Sequence, residues 1–90
     1  MMARRTDSNQ KEIVAGLRRI GATVLDLHEL GKGAPDVLIG IGGNNYLVEI
    51  KSTNGKLTPA EIEFLASWKG NAVIVHNVEE AFRAIGLTIE

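Results

Sequence analysis

No cysteine occurs among the ninety residues. That absence excludes disulfides, a thiolate nucleophile and cysteine-ligated zinc. No apolar run is long enough to cross a bilayer as a helix, and the opening MMARRTDSNQ is too polar for a signal peptide. A soluble, cytoplasmic chain is the expectation. The basic excess of a nucleic-acid coat protein is missing too, since the formal net charge is −1. Such a balance still allows an enzyme that acts on a polyanion, because metal-binding carboxylates lower the total while a bound cation restores positive charge locally. Internal repeats and low-complexity segments are lacking. Gly40, Gly42 and Gly43 form no phosphate-binding loop, because no helix follows them.

What is present suits one small domain. Hydrophobic residues make up 44% of the chain, which supports a single core over residues 1–90, with 1–6 read as a flexible N-terminal arm. A core this small often gains stability by self-association. Basic residues are unevenly placed: Arg4, Arg5, Lys11, Arg18 and Arg19 crowd the start, while Lys32, Lys51 and Lys56 flank the middle. Solvation of a surface accounts for most such charges.

Ile13, Leu17 and Ile20 recur at helical spacing, so a first helix is expected from about Ser8 to Ile20, stopped by Gly21 and capped by Asp7 with Gln10 or by Ser8. Ala22 to Leu27 reads as a strand, and HELGKGA (residues 28–34) as a loop. DVLIGI (36–41) and YLVEIK (46–51) form a hairpin across Gly42-Gly43-Asn44-Asn45, the strongest local signal in the chain. Thr58, Pro59 and Glu61 mark N-cap, N1 and N3 of a second helix ending near Gly70, with Leu57 and Ile62 placed as a hydrophobic staple. Ala72 to Val75 is a short strand, and Asn77 with Glu80 opens a last helix. The order α-β-β-β-α-β-α, with a parallel crossover from Tyr46 to Val75, gives an α/β fold with a mixed four-stranded sheet and helices over both faces.

Pro35-Asp36 and Glu49-Ile50-Lys51 lie on the two strands of that hairpin. If Ile41 pairs with Tyr46, strand alternation puts Asp36, Glu49 and Lys51 on one face and the apolar set Val37, Ile39, Val48 and Ile50 on the other. Asp36 and Glu49 are then diagonal neighbours about 7–8 Å apart at Cα. Two carboxylates over that gap can hold one hard cation, the Ile50 carbonyl can add an oxygen, and Lys51 can steer water or offset charge on a phosphate. A solvated face with a cross-strand ion pair is the plain alternative. The apolar neighbours count against it, because buried charge needs a functional reason. By position alone Glu12, beside the apolar stripe of the first helix, is a solvated charge. Phe64 and Trp68, four apart on one helix, suit packing in a core or dimer better than base stacking.

The string GAPDVLIGIGGNNYLVEIKSTNGKLTPAE resembles the PD-(D/E)xK nuclease superfamily, and more narrowly the small stand-alone VRR-NUC (virus-type replication-repair nuclease) domains of phages. The resemblance runs from the helix carrying Glu12 to the last strand and helix. It implies a restriction-endonuclease-like core and Mg²⁺-dependent hydrolysis of DNA phosphodiesters, with Mn²⁺ as a substitute. Asp36 and Glu49 match the metal-binding acids, Lys51 the catalytic lysine, Ile50 the backbone ligand and Glu12 the acid of the first helix. The resemblance further implies a homodimer acting on branched DNA such as four-way (Holliday) junctions, in the cytoplasm of a bacterial or phage-infected cell. Lys32, Lys56 and Arg19 are candidate phosphate contacts. A non-catalytic DNA-binding or interaction module with the same fold is the alternative. Two positions depart from the family pattern: Glu61 stands where glutamine is usual, and the last strand ends in His76-Asn77 rather than carrying arginine.

Overall fold

A computed structural model describes residues 5–87. Its first helix, α1, spans Arg5–Arg19 and so begins before the expected Ser8. Arg5 and Thr6 of the expected arm are helical, and residues 1–4 lie outside the described residues. No glycine or proline stands between Arg5 and Gln10 to stop the helix, so Asp7 and Ser8 fall inside it instead of capping it. Gly21 and Ala22 close its far end, their amides donating to the carbonyls of Arg18 and Leu17.

The strands are β1 (Thr23–Asp26), β2 (Val37–Ile41), β3 (Asn44–Ile50) and β4 (Ala72–Val75), ordered β1-β2-β3-β4 in the sheet. β2 is antiparallel to both β1 and β3, and β3 is parallel to β4. α2 (Pro59–Ser67) makes the crossover, and α3 (Val78–Ala84) follows β4. The element order and mixed sheet are those expected from the sequence.

The hairpin register differs from the expected one. Ile41 pairs with Asn44 rather than Tyr46, so Gly42 and Gly43 alone form the turn, at φ 59° and 82°. Positive φ at both central residues defines the two-residue turn whose twist matches that of the strands. The β-rich pattern starts only at Tyr46 and hides the pairing of Asn44 and Asn45. A shift of two residues keeps every side chain on its expected face, but it moves Asp36 from diagonal to directly opposite Glu49.

α1 and α3 pack on the face carrying Val37, Ile39, Val48, Ile50 and Val75, all buried together with Ile13 and Leu17. A Cβ at Gly16 would come within 3.0 Å of Val78, so the bare backbone lets α1 and α3 approach. The second face is not covered in the same way. α2 buries none of its residues, and Ile62, half of the expected staple, stays exposed. Leu25 and Ile74 on this face are 56% and 41% exposed. At the β1 edge of the sheet, the Arg18 guanidinium donates to the carbonyl of Val24 (3.2 Å).

Candidate active site

The second face carries the polar constellation. β3 is one of the two inner strands, hydrogen-bonded on both sides, and it ends in Glu49 and Ile50, with Lys51 the next residue. Asp36 precedes β2. Its amide donates to the Val48 carbonyl (3.1 Å), and its carboxylate accepts from the Ile50 amide (2.6 Å). Both acids are therefore placed by β3 itself. Glu49 is 2% exposed, the one charged side chain in the buried set of described residues.

Lys51 Nζ lies 2.9 Å from Glu61 Oε1 and 3.7 Å from Glu49 Oε2. The same Glu61 oxygen accepts the Thr58 amide (2.9 Å), while the Thr58 hydroxyl accepts the Glu61 amide (3.2 Å). The expected capping box of α2 thus exists, and it is also a clamp on Lys51. Glu61 is thus cap partner and site residue in one arrangement. At α3 the box is incomplete: Asn77 caps Glu80, but Glu80 reaches the amide and ring of His76 instead. His76 is thereby a strand-end histidine with a local partner.

The electrostatics fit a cation. Burial, with the nearby Asp36 and Glu61 charges, pushes Glu49 up to about 8. Burial also raises Asp36, against the opposing bond from Ile50. Lys51 is held above its usual value because the Glu61 bond and the surrounding carboxylates outweigh its burial. Burial works upward on Glu61 as well, but Lys51 and the Thr58 amide outweigh it and hold Glu61 low. Glu49 Oε1 is buried with no hydrogen-bond partner. An orphaned carboxylate oxygen on a carboxyl that resists ionisation is what a missing positive charge leaves behind. The described residues hold no group of three or more His, Cys, Asp or Glu side chains arranged for a metal. The oxygen donors that could hold a cation here are Asp36, Glu49 and the Ile50 carbonyl. That set suits Mg²⁺, which keeps several waters and takes one or two carboxylates.

These groups line a cavity of about 500 Å³ with three residues that the sequence reading did not single out: Gln10, Asp26 and His28. Gln10 shares the i, i+3, i+7 stripe of α1 with the buried Ile13 and Leu17. Glu12 lies off that stripe, is exposed and does not line the cavity. Among the described residues of α1, Gln10 and not Glu12 lines the cavity. Asp26 and His28 had one legible signal, an Asp followed two residues on by a backbone amide it can accept. The proposed phosphate contacts Arg19, Lys32 and Lys56 are all exposed and line no part of this cavity.

This strand order, with two acids and a lysine gathered on the hairpin, fits a nuclease-type domain. The sequence matches no protein-family model and no curated protein. A solved structure described as "VRR_NUC domain" matches at a TM-score of 0.77 and 25% identity, over 92% of this chain and 96% of that one. That likeness supports assigning the chain as a VRR-NUC domain.

Proposed function

We propose that the protein is a Mg²⁺-dependent DNA endonuclease, with Mn²⁺ able to substitute. The observation that carries this reading is Glu49, whose buried, unpartnered oxygen lies on the strand opposite Asp36 and beside Lys51. Asp36, Glu49 and the Ile50 carbonyl would hold the cation. When bound, it would polarise the phosphodiester and acidify an attacking water. The Ile50 amide fixes the orientation of Asp36. Lys51, kept charged by Glu61, offsets negative charge gathering on the phosphate and orients the water. A hydrolytic water must approach in line with the leaving oxygen, and the open second face leaves room for that approach.

Asp36→Asn or Lys51→Ala should lower Mg²⁺-dependent cleavage by about a thousandfold, the rate equivalent of several kcal/mol. Circular dichroism should show both variants folded. Variants that cut as well as the parent would sink the reading. One observation favours the non-catalytic alternative: among the described residues no three His, Cys, Asp or Glu side chains are placed to hold a metal together. No binding of Mg²⁺ or Mn²⁺ by calorimetry at millimolar concentration would decide for it.

The substrate is branched DNA, by the resemblance stated above. A panel of linear, flapped and four-way DNA tests this, and a preference for linear duplex would count against it. The protein acts in the bacterial or phage-infected cytoplasm, where that DNA is, and as a homodimer. Leu25, Ile62, Trp68 and Ile74 are exposed, which gives a second copy apolar surface to cover. A monomeric mass at micromolar concentration would refute the dimer.

A further inference from the structure

The site as built is short of positive charge for a polyanionic substrate. Among the described residues, Asp26, Asp36, Glu49 and Glu61 line its cavity against a single lysine. Lys51 is already engaged by Glu61 at 2.9 Å and lies near Glu49 at 3.7 Å. A divalent cation offsets two of the four carboxylates. A phosphate entering the cavity then needs another donor that the acids have not taken.

His28 is placed to be that donor. Its ring lines the same cavity as the acids. Asp26 Oδ1 accepts both the His28 amide (2.8 Å) and the ring Nδ1 (2.7 Å). One carboxylate oxygen therefore fixes backbone and ring together, and Nε2 is left as the free ring nitrogen. The turn carrying the pair is tied to the acids of the site: the Leu27 amide donates to the carbonyl of Asp36 (2.8 Å), and Leu30 closes back on Leu27 (2.9 Å). The His28 side chain is 68% exposed, so a strand of DNA can reach it.

We propose that His28, oriented by Asp26, contacts a phosphate of the DNA strand bound at the Asp36–Glu49–Lys51 site. This rests on the nuclease reading above. His28 is a substrate contact through Nε2, and Asp26 is a positioning residue that acts through it. With Nδ1–H committed to Asp26, the imidazolium presents Nε2–H as a charged donor to a phosphate oxygen. Asp26 raises the His28 pKa, by its hydrogen bond first and its charge second, with a smaller contribution from Glu29. The other charged groups of the described residues that face the cavity are Asp36, Glu49 and Lys51 from the hairpin and Glu61 from α2. The contact is made while His28 is protonated and is lost as pH rises through its elevated value.

The test compares the parent with His28→Gln and Asp26→Asn, with Mg²⁺ at saturation, between about pH 6 and pH 8. At the lower pH, His28→Gln should raise KM about tenfold, the affinity of one hydrogen bond to a charged group, with kcat nearly unchanged. Asp26→Asn should fall between the two. The rise of the parent's KM with pH should flatten in His28→Gln. Mg²⁺ affinity by calorimetry and thermal stability should stay at parental values, because His28 is exposed and is not a ligand. If the parent cuts DNA and His28→Gln shows the same KM and the same pH profile, this proposal fails and the nuclease reading stands. Weaker Mg²⁺ binding in His28→Gln would also overturn it, assigning His28 to the metal instead. A parent that neither cuts nor binds DNA overturns both.

Discussion

Glu61 shows how one side chain can serve stability and chemistry together. A single oxygen holds the N-cap amide of α2 and the ammonium of Lys51. Glu61→Ala removes both, and cleavage should fall about 10- to 100-fold, the cost of one hydrogen bond to a charged group. Glu61→Gln keeps an acceptor at the same place and should stay within about tenfold of the parent. Single-turnover rates under saturating Mg²⁺ check both, and equal losses in the two variants would show that charge rather than position matters. The residues easiest to read in the sequence were Asp36, Glu49 and Lys51, because strand alternation alone puts them on one face. Gln10 was harder, since a neutral side chain carries no signal of chemistry. Glu12 carried the charge but not the helical phase, and only the burial of Ile13 and Leu17 shows which of the two turns inward.

At the level of elements, the site is assembled where a loop meets the start of α2. Gly33 has φ 81°, and a Cβ there would collide with the Ala60 carbonyl in the first turn of α2. Gly31 has φ 64° with open space around it. Gly33→Ala and Gly31→Ala should each cost about 1–2 kcal/mol of stability from backbone strain. Only Gly33→Ala should also displace α2 and with it Glu61, so its cleavage rate should drop well beyond that of Gly31→Ala. Denaturant melts and cleavage assays on the pair would show this, and equal activities would refute the coupling. Periodicity and caps predicted each helix and strand, because those signals are local. They missed the hairpin register, where two asparagines pair in the sheet against their intrinsic preference. They also missed the start of α1, which no strong breaker marks.

Over the whole molecule, Glu49 links the site to stability. Its folded value of about 8 lies above its ordinary 4.5, so between these the folded protein keeps a proton that the unfolded chain has released. The stabilisation is complete below the ordinary value, declines as pH rises and is gone above the folded one. Asp26, Glu61 and Glu80 are shifted downward and lose stabilisation only as pH falls through the acid range. His28, raised but exposed, adds a small decline of the same sign as Glu49. The metal-free protein should melt at least about 4 °C lower near pH 9 than near pH 5.5, as expected for about 1 kcal/mol in a domain of this size. Glu49→Gln should flatten most of that slope, and Mg²⁺ should reverse it by taking the place of the proton. Calorimetric melts at the two pH values would test this, and a flat profile in the metal-free parent would contradict it.

The bond from Arg18 to the Val24 carbonyl has its own consequence for self-association. A bare sheet margin invites another chain to zip onto it backbone to backbone. Here a guanidinium occupies that margin and presents charge where a newcomer's strand would have to lie. A second copy is thereby turned away from the β1 margin, so two molecules that join should not do so by pairing strands there.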